Sequence, residues 1–160
     1  NWEMGGCAPG MYAMLSAIVD YVCWIGKQFK DTEDRRELYV EGMTRIMLHE
    51  RALLYRLLHG SDEVKGLLDI EGVKVAVDMD DLTERDLIVP IVFDKLTCEE
   101  ASRAYEKKGV VVHERTDASL YSARQVNSIN LHGIVRISPL HCHTYADIDE
   151  FLKITAEIAK

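Results

Sequence analysis

A chain of 160 residues can build one domain with a real core, or one compact domain carrying a helical extension. Its residues are 48% apolar and 29% charged, an ordinary balance for a globular protein. With 19 basic and 27 acidic residues the formal charge is −8, and no basic stripe is present to neutralise phosphates, which excludes nucleic acid and anionic membrane surfaces as partners.

Pro9 suits the first turn of a helix. Met11, Met14, Leu15, Ile18, Val19, Val22 and Ile25 then keep the i, i+3, i+4, i+7 spacing of an apolar stripe. Ser16 and Asp20 interrupt this segment, the longest apolar candidate, so no membrane span is expected, and no basic n-region marks a signal peptide. Gly26 and the polar residues after it end the helix. Asp31 or Thr32 is placed to cap a second helix, with Glu33 and Asp34 in its positive first turn. Tyr39, Met43, Ile46, Met47, Leu54, Leu57 and Leu58 form its apolar stripe, and Gly60 is a natural stop.

Past residue 60 the pattern changes. Val73, Val75 and Val77 alternate with Lys74, Ala76 and Asp78, as in a strand with one wet face. Residues 87–93 form a nearly continuous apolar run suited to an interior strand, although Pro90 argues for an edge position or a bulge. Thr97 and Glu100 form a capping box for a helix ending at Lys107, Lys108 and Gly109. A short strand at 110–112, a helix or helical turn at 119–129 and a strand at 134–138 follow. Thr144 and Asp147 then cap a closing helix whose apolar face is Ile148, Phe151, Leu152, Thr155 and Ile158. This order predicts an α/β (α+β) two-layer sandwich: a small mixed, largely antiparallel sheet, covered by helices on one face and preceded by two long N-terminal helices.

Four features could carry chemistry. Arg136 lies on the apolar strand 134–138, where a guanidinium is costly to bury without an anion and its fork matches a carboxylate; a structural ion pair is the competing reading. Gly5, Gly6 and Gly10 flank a helix start, where backbone N–H groups can approach an anion. His141 and His143 alternate around Cys142, but two ligands do not make a metal site and no metal is expected. The four cysteines, Cys7, Cys23, Cys98 and Cys142, show no C-x-x-C spacing, so reduced thiols and a cytoplasmic location are expected.

The run from Val135 to Thr144 (V-R-I-S-P-L-H-C-H-T), followed by x-x-D-I-D-x-F-L, resembles the C-terminal small domain of class V aminotransferases. These are fold-type I, pyridoxal-phosphate-dependent relatives of cysteine desulfurases. Trp2-Glu3-Met4-Gly5-Gly6 and the helix carrying Ile18-Val19-Asp20-Tyr21-Val22 extend the resemblance toward the start. It implies that Arg136 receives the α-carboxylate of an amino-acid substrate, with Arg115 and His113 as further contacts. It also implies that Gly6 or Cys7 approaches the cofactor phosphate of a homodimer partner, without the threonine hydroxyl expected there. Counting from Gly109 puts His113 at the desulfurase arginine position and Ala118 at that of the nucleophilic cysteine. Alanine forms no thiolate, so a persulfide-forming activity is disfavoured unless Cys142 substitutes from elsewhere.

None of the lysines stands in the strand-to-loop context of a Schiff-base lysine. The chain begins at Asn1 without methionine, and the resemblance makes it the C-terminal portion of a longer enzyme. Residues 1–60 would be the helical segment leading from a large domain and residues 61–160 the small domain. No catalysis is expected from this chain alone. A non-catalytic module binding a small carboxylate or a protein partner is the alternative.

Overall fold

The computed structural model describes Gly6 and residues 8–160. The chain forms two compact units, which divide between His49 and Glu50, inside the second helix and ahead of Gly60.

In the first unit Pro9 opens helix α1 (Pro9–Lys27) at its first position, after Ala8. Helix α2 (Arg35–His59) starts later than the sequence suggested, because the cap is Asp34 and not Asp31 or Thr32. The Asp34 carboxylate accepts from the Glu37 amide at 2.9 Å, while the Thr32 hydroxyl accepts from the Asp34 amide at 3.2 Å. The two helices approach closely at Gly26 and Gly42. A Cβ there would run into the Leu38 and Val22 carbonyls respectively, so glycine is required at both. Arg35 pairs with Asp20 at 2.7 Å, and the Arg45 guanidinium lies 4.4 Å from the Phe29 ring centroid. Only part of the α1 stripe is buried: Val22 and Cys23 are covered, whereas Met11, Met14, Leu15 and Ile18 are each more than half exposed.

The second unit contains a four-stranded sheet, β1 (Val73–Val75), β2 (Val89–Phe93), β3 (His113–Thr116) and β4 (Gly133–Ile137). The order is β1-β2-β4-β3, and every pairing is antiparallel. Strand alternation places Val73, Val89, Ile91, Phe93, Val135 and Ile137 on one face. There they form a common core with Leu53, Leu54, Leu57 and Leu58 of α2, with Ala101 and Tyr105 of α3 (Cys98–Lys107), and with Ile148 and Leu152 of α5 (Tyr145–Ile158). The sandwich expected from the sequence is therefore present. Both capping boxes form, Thr97 with Glu100 on α3 and Thr144 with Asp147 on α5. Gly60 stands just past α2 at φ +70°, the left-handed conformation in which a side chain would be strained.

Three local expectations are corrected. Pro90 sits in an interior strand without a bulge. Its carbonyl accepts from the Ala76 amide, so its nitrogen faces the same side, where β1 has already ended, and the missing donor interrupts no ladder. The third strand begins at His113 and not at Val110, because the Val110 amide is taken by the Tyr105 carbonyl as the chain leaves α3. Helix α4 (Ala123–Ser128) is shorter than the predicted 119–129. Ser122, which would have lain inside that helix, instead bonds its hydroxyl to the Thr116 backbone.

Candidate functional site

Arg136 is the fourth residue of the interior strand β4. Because Val135 and Ile137 point into the core, alternation turns Arg136 to the opposite face, as its neighbours' hydrophobicity requires. His113 is its partner across the β3–β4 ladder. The Asp117 amide donates to the His132 carbonyl, and in the same register His113 and Arg136 are a hydrogen-bonded pair, with side chains on one face. Arg115 pairs with Ile134 two positions along, on that face too.

A cleft of about 500 Å³ opens where β4 leaves the sheet and β3 enters it. Arg136, His113 and His143 line it, together with Glu150 on its rim, and Val112, Leu57, Ile148 and Phe151 form much of its apolar wall. The Arg136 Nε is shut off from solvent and has no hydrogen-bond partner among the described residues. A buried guanidinium nitrogen left in that state costs on the order of 1–3 kcal/mol. The guanidinium as a whole is a charge-assisted donor for an anion that reaches the cleft.

The remaining candidates are dispersed. Arg115 lines a separate depression with Glu99, Glu114 and Tyr121, and one guanidinium nitrogen donates to the Glu114 carbonyl at 2.8 Å. Gly6 is exposed with open space around it, and Cys7 lies outside the described residues. His141 and His143 are not arranged in extended backbone. Residues 140–143 form a turn closed by the His143 amide on the Leu140 carbonyl at 3.0 Å, and the His143 Nδ1 lies 3.0 Å from the Leu140 amide nitrogen. His141 lies 3.9 Å from Glu50. Among the described residues no group of three or more His, Cys, Asp or Glu side chains is placed to hold a metal ion.

Ala118 stands exposed in the turn after β3. Cys98 is half-buried, and burial together with the adjacent Glu99 carboxylate pushes its thiol up to about 12, so it stays protonated near neutrality. Cys142 is exposed on the turn beyond β4.

Sequence reading missed Glu150 as a lining residue. Helical spacing alone puts Glu150 beside Asp147, three residues earlier on α5. What it could not reveal is that this face meets the end of β4. Arg85 was missed too: its side chain is only 6% exposed, both terminal nitrogens lack hydrogen bonds, and its nearest carboxylate, Asp78, is 3.8 Å away. Burial pushes its pKa down.

No family model and no curated protein matches the sequence. A solved structure does share the fold. The apo structure of a cysteine desulfurase from Thermococcus onnurineus NA1 superposes with a TM-score of 0.63 at 18% identity, over 78% of this chain and 28% of that one. At that identity the likeness shows fold alone. The chain thus spans under a third of the length of the protein it resembles. Among the described residues, no helix is long and apolar enough to cross a membrane.

Proposed function

We propose that this chain is the C-terminal part of a class V aminotransferase-like, pyridoxal-phosphate-dependent enzyme, supplying the arginine that binds the α-carboxylate of an amino-acid substrate. The observation that carries the reading is Arg136: a guanidinium lining a cleft, with a desolvated nitrogen that no group among the described residues satisfies. His113 beside it across the ladder, and His143 on the adjoining turn, make the surroundings suitable for an anion. The fold likeness to part of a cysteine desulfurase is consistent with this assignment.

The cleft does not fit the cofactor itself as a covalent adduct. Among the described residues no lysine lines it. Lys74 and Lys108 are tied to Asp94 and Glu157, both at 2.6 Å. The reading therefore places the Schiff-base lysine in a large domain beyond these 160 residues, with residues 1–60 leading from it and residues 61–160 as the small domain. The reaction would be a transamination, β-elimination or epimerisation, and this chain alone would not catalyse it. Homodimerisation in the cytoplasm completes the proposal. The exposed apolar side chains along one face of α1, Met11, Met14, Leu15 and Ile18, are a surface suited to such a contact.

The test is made in the protein that joins this chain to its lysine-bearing domain. Arg136→Ala should weaken amino-acid binding by on the order of 2–4 kcal/mol, and Arg136→Lys should recover only part of it, because an ammonium lacks the fork. Cofactor absorbance should be unchanged in both. Unaltered substrate affinity in folded variants would make Arg136 a structural residue and remove the proposed role.

A further inference from the structure

Strand β3 is the outer strand of the sheet, and one of its long edges has no partner strand among the described residues. Parity in the β3–β4 ladder identifies the groups on that edge. Asp117, Arg115 and His113 direct their backbone groups toward β4, so Thr116 and Glu114 direct theirs outward. At Thr116 the edge is closed from within the chain. The buried Ser122 hydroxyl accepts from the Thr116 amide at 3.2 Å and donates to the Thr116 carbonyl at 2.8 Å, filling the place of a neighbouring strand. Among the described residues nothing comparable closes the edge at Glu114. Its carbonyl accepts only from the neighbouring Arg115 side chain, and its amide remains directed outward.

Beside this open stretch runs a groove of about 350 Å³ between α3 and residues 110–114. Among the described residues its charged lining is Glu99, Glu106 and Glu114 against Arg103, with His113 also present. Glu114 faces the α3 side, since its ladder partner Val135 points into the core. The Ser102 hydroxyl, also in the lining, is buried without a hydrogen-bond partner. Val111, at the head of the stretch, is 80% exposed.

We propose that this edge is a docking site for an extended, basic segment of a protein partner, which adds a fifth strand beside β3. Main-chain bonds to the outward groups at Glu114, and at Val112 next in the alternation, would hold the strand. A lysine or arginine opposite Glu114 would project to the α3 side, among the three glutamates, and alternate positions would repeat the contact. A second copy of this chain is a poor occupant, because antiparallel self-pairing about this stretch sets the same acidic groove against itself. The groove shares residues 110–113 with the Arg136 cleft, but docking rests on the open edge and the glutamates and does not depend on anion binding there.

The probe is a fluorophore-labelled peptide of alternating lysine and valine, with an alternating glutamate-valine peptide as control, titrated into the 160-residue chain. Saturable binding of the first and none of the second is expected, with amide chemical-shift changes confined to residues 110–116 and α3. Glu106→Lys, on the exposed face of α3, should weaken binding at least about tenfold. Glu114→Pro should abolish it while leaving the β4 ladder intact, since the lost amide points outward. Absence of binding at millimolar peptide would overturn the proposal. So would binding that survives Glu106→Lys in folded protein, or concentration-dependent shifts at residues 112–114 without peptide, which would assign the edge to a second copy.

Discussion

Tyr105 shows how one buried polar atom is accommodated in the core. Its ring is fully buried, stacked on Phe151 at 5.3 Å and edge-on to Phe93 at 6.2 Å. The Thr155 hydroxyl gives its proton to the Phe151 carbonyl at 2.8 Å, so at 2.7 Å the Tyr105 hydroxyl is the donor to Thr155 Oγ1. Burial raises the phenol pKa, and the group stays neutral through the physiological range. Tyr105→Phe removes that donor with almost no change of shape and leaves a buried oxygen lone pair unmet. The expected cost is about 1 kcal/mol, read as a lower denaturant midpoint at an unchanged slope. Arg136 poses the opposite case, since its desolvated Nε has no partner among the described residues. The residue type and strand position of Arg136 were legible in the sequence. That Tyr105 finds a hydroxyl and Arg136 an open cleft depends on elements distant in the chain.

Among the elements, α5 depends most plainly on its first turn. Thr144 Oγ1 accepts from the Asp147 amide, and the Asp147 carboxylate accepts from the Thr144 amide at 2.7 Å. Thr144→Ala should destabilise the unit by about 1 kcal/mol. The hydrogen bond from the Thr144 backbone, followed by that from its hydroxyl, holds the Asp147 carboxyl below the ordinary carboxylate value. A folded pKa below the unfolded one means the contribution is present above the unfolded value and is lost as pH falls through the folded one. The Thr144→Ala deficit should therefore persist at neutral pH and shrink below about pH 4. Thermal melts of both proteins from pH 7 to pH 3 check this, and a deficit independent of pH would contradict the reciprocal box. Farther along α5, Asp149 accepts both 2.7 Å bonds of the Arg56 fork and ties the helix to α2. The capping box was legible from residue spacing alone, whereas the Arg56–Asp149 pair spans 93 positions and was not.

Across the whole molecule, burial is uneven between the two units. The second unit has a core drawn from the sheet, α3, α5 and the end of α2. Helix α1 buries only Val22, Cys23 and Gly26. Local stability follows buried apolar area, so hydrogen exchange should release the α1 amides well before those of β2 and β4. Equal protection of α1 and the central strands would refute that ranking. By itself the sequence determined the helices with long periodic stripes, both capping boxes, the left-handed stop at Gly60, the interior run of β2 and the solvent-averse setting of Arg136. Each of these follows from interactions within a few residues, where spacing and side-chain type suffice. Only the tertiary structure decided that His113 opens a strand, that Pro90 lies in the sheet interior, that Asp34 caps α2, and that Arg136, His143 and Glu150 share a cleft. Those outcomes rest on register and on contacts between segments far apart in the chain. There a choice of ladder partner or a competing hydrogen bond outweighs the local preference.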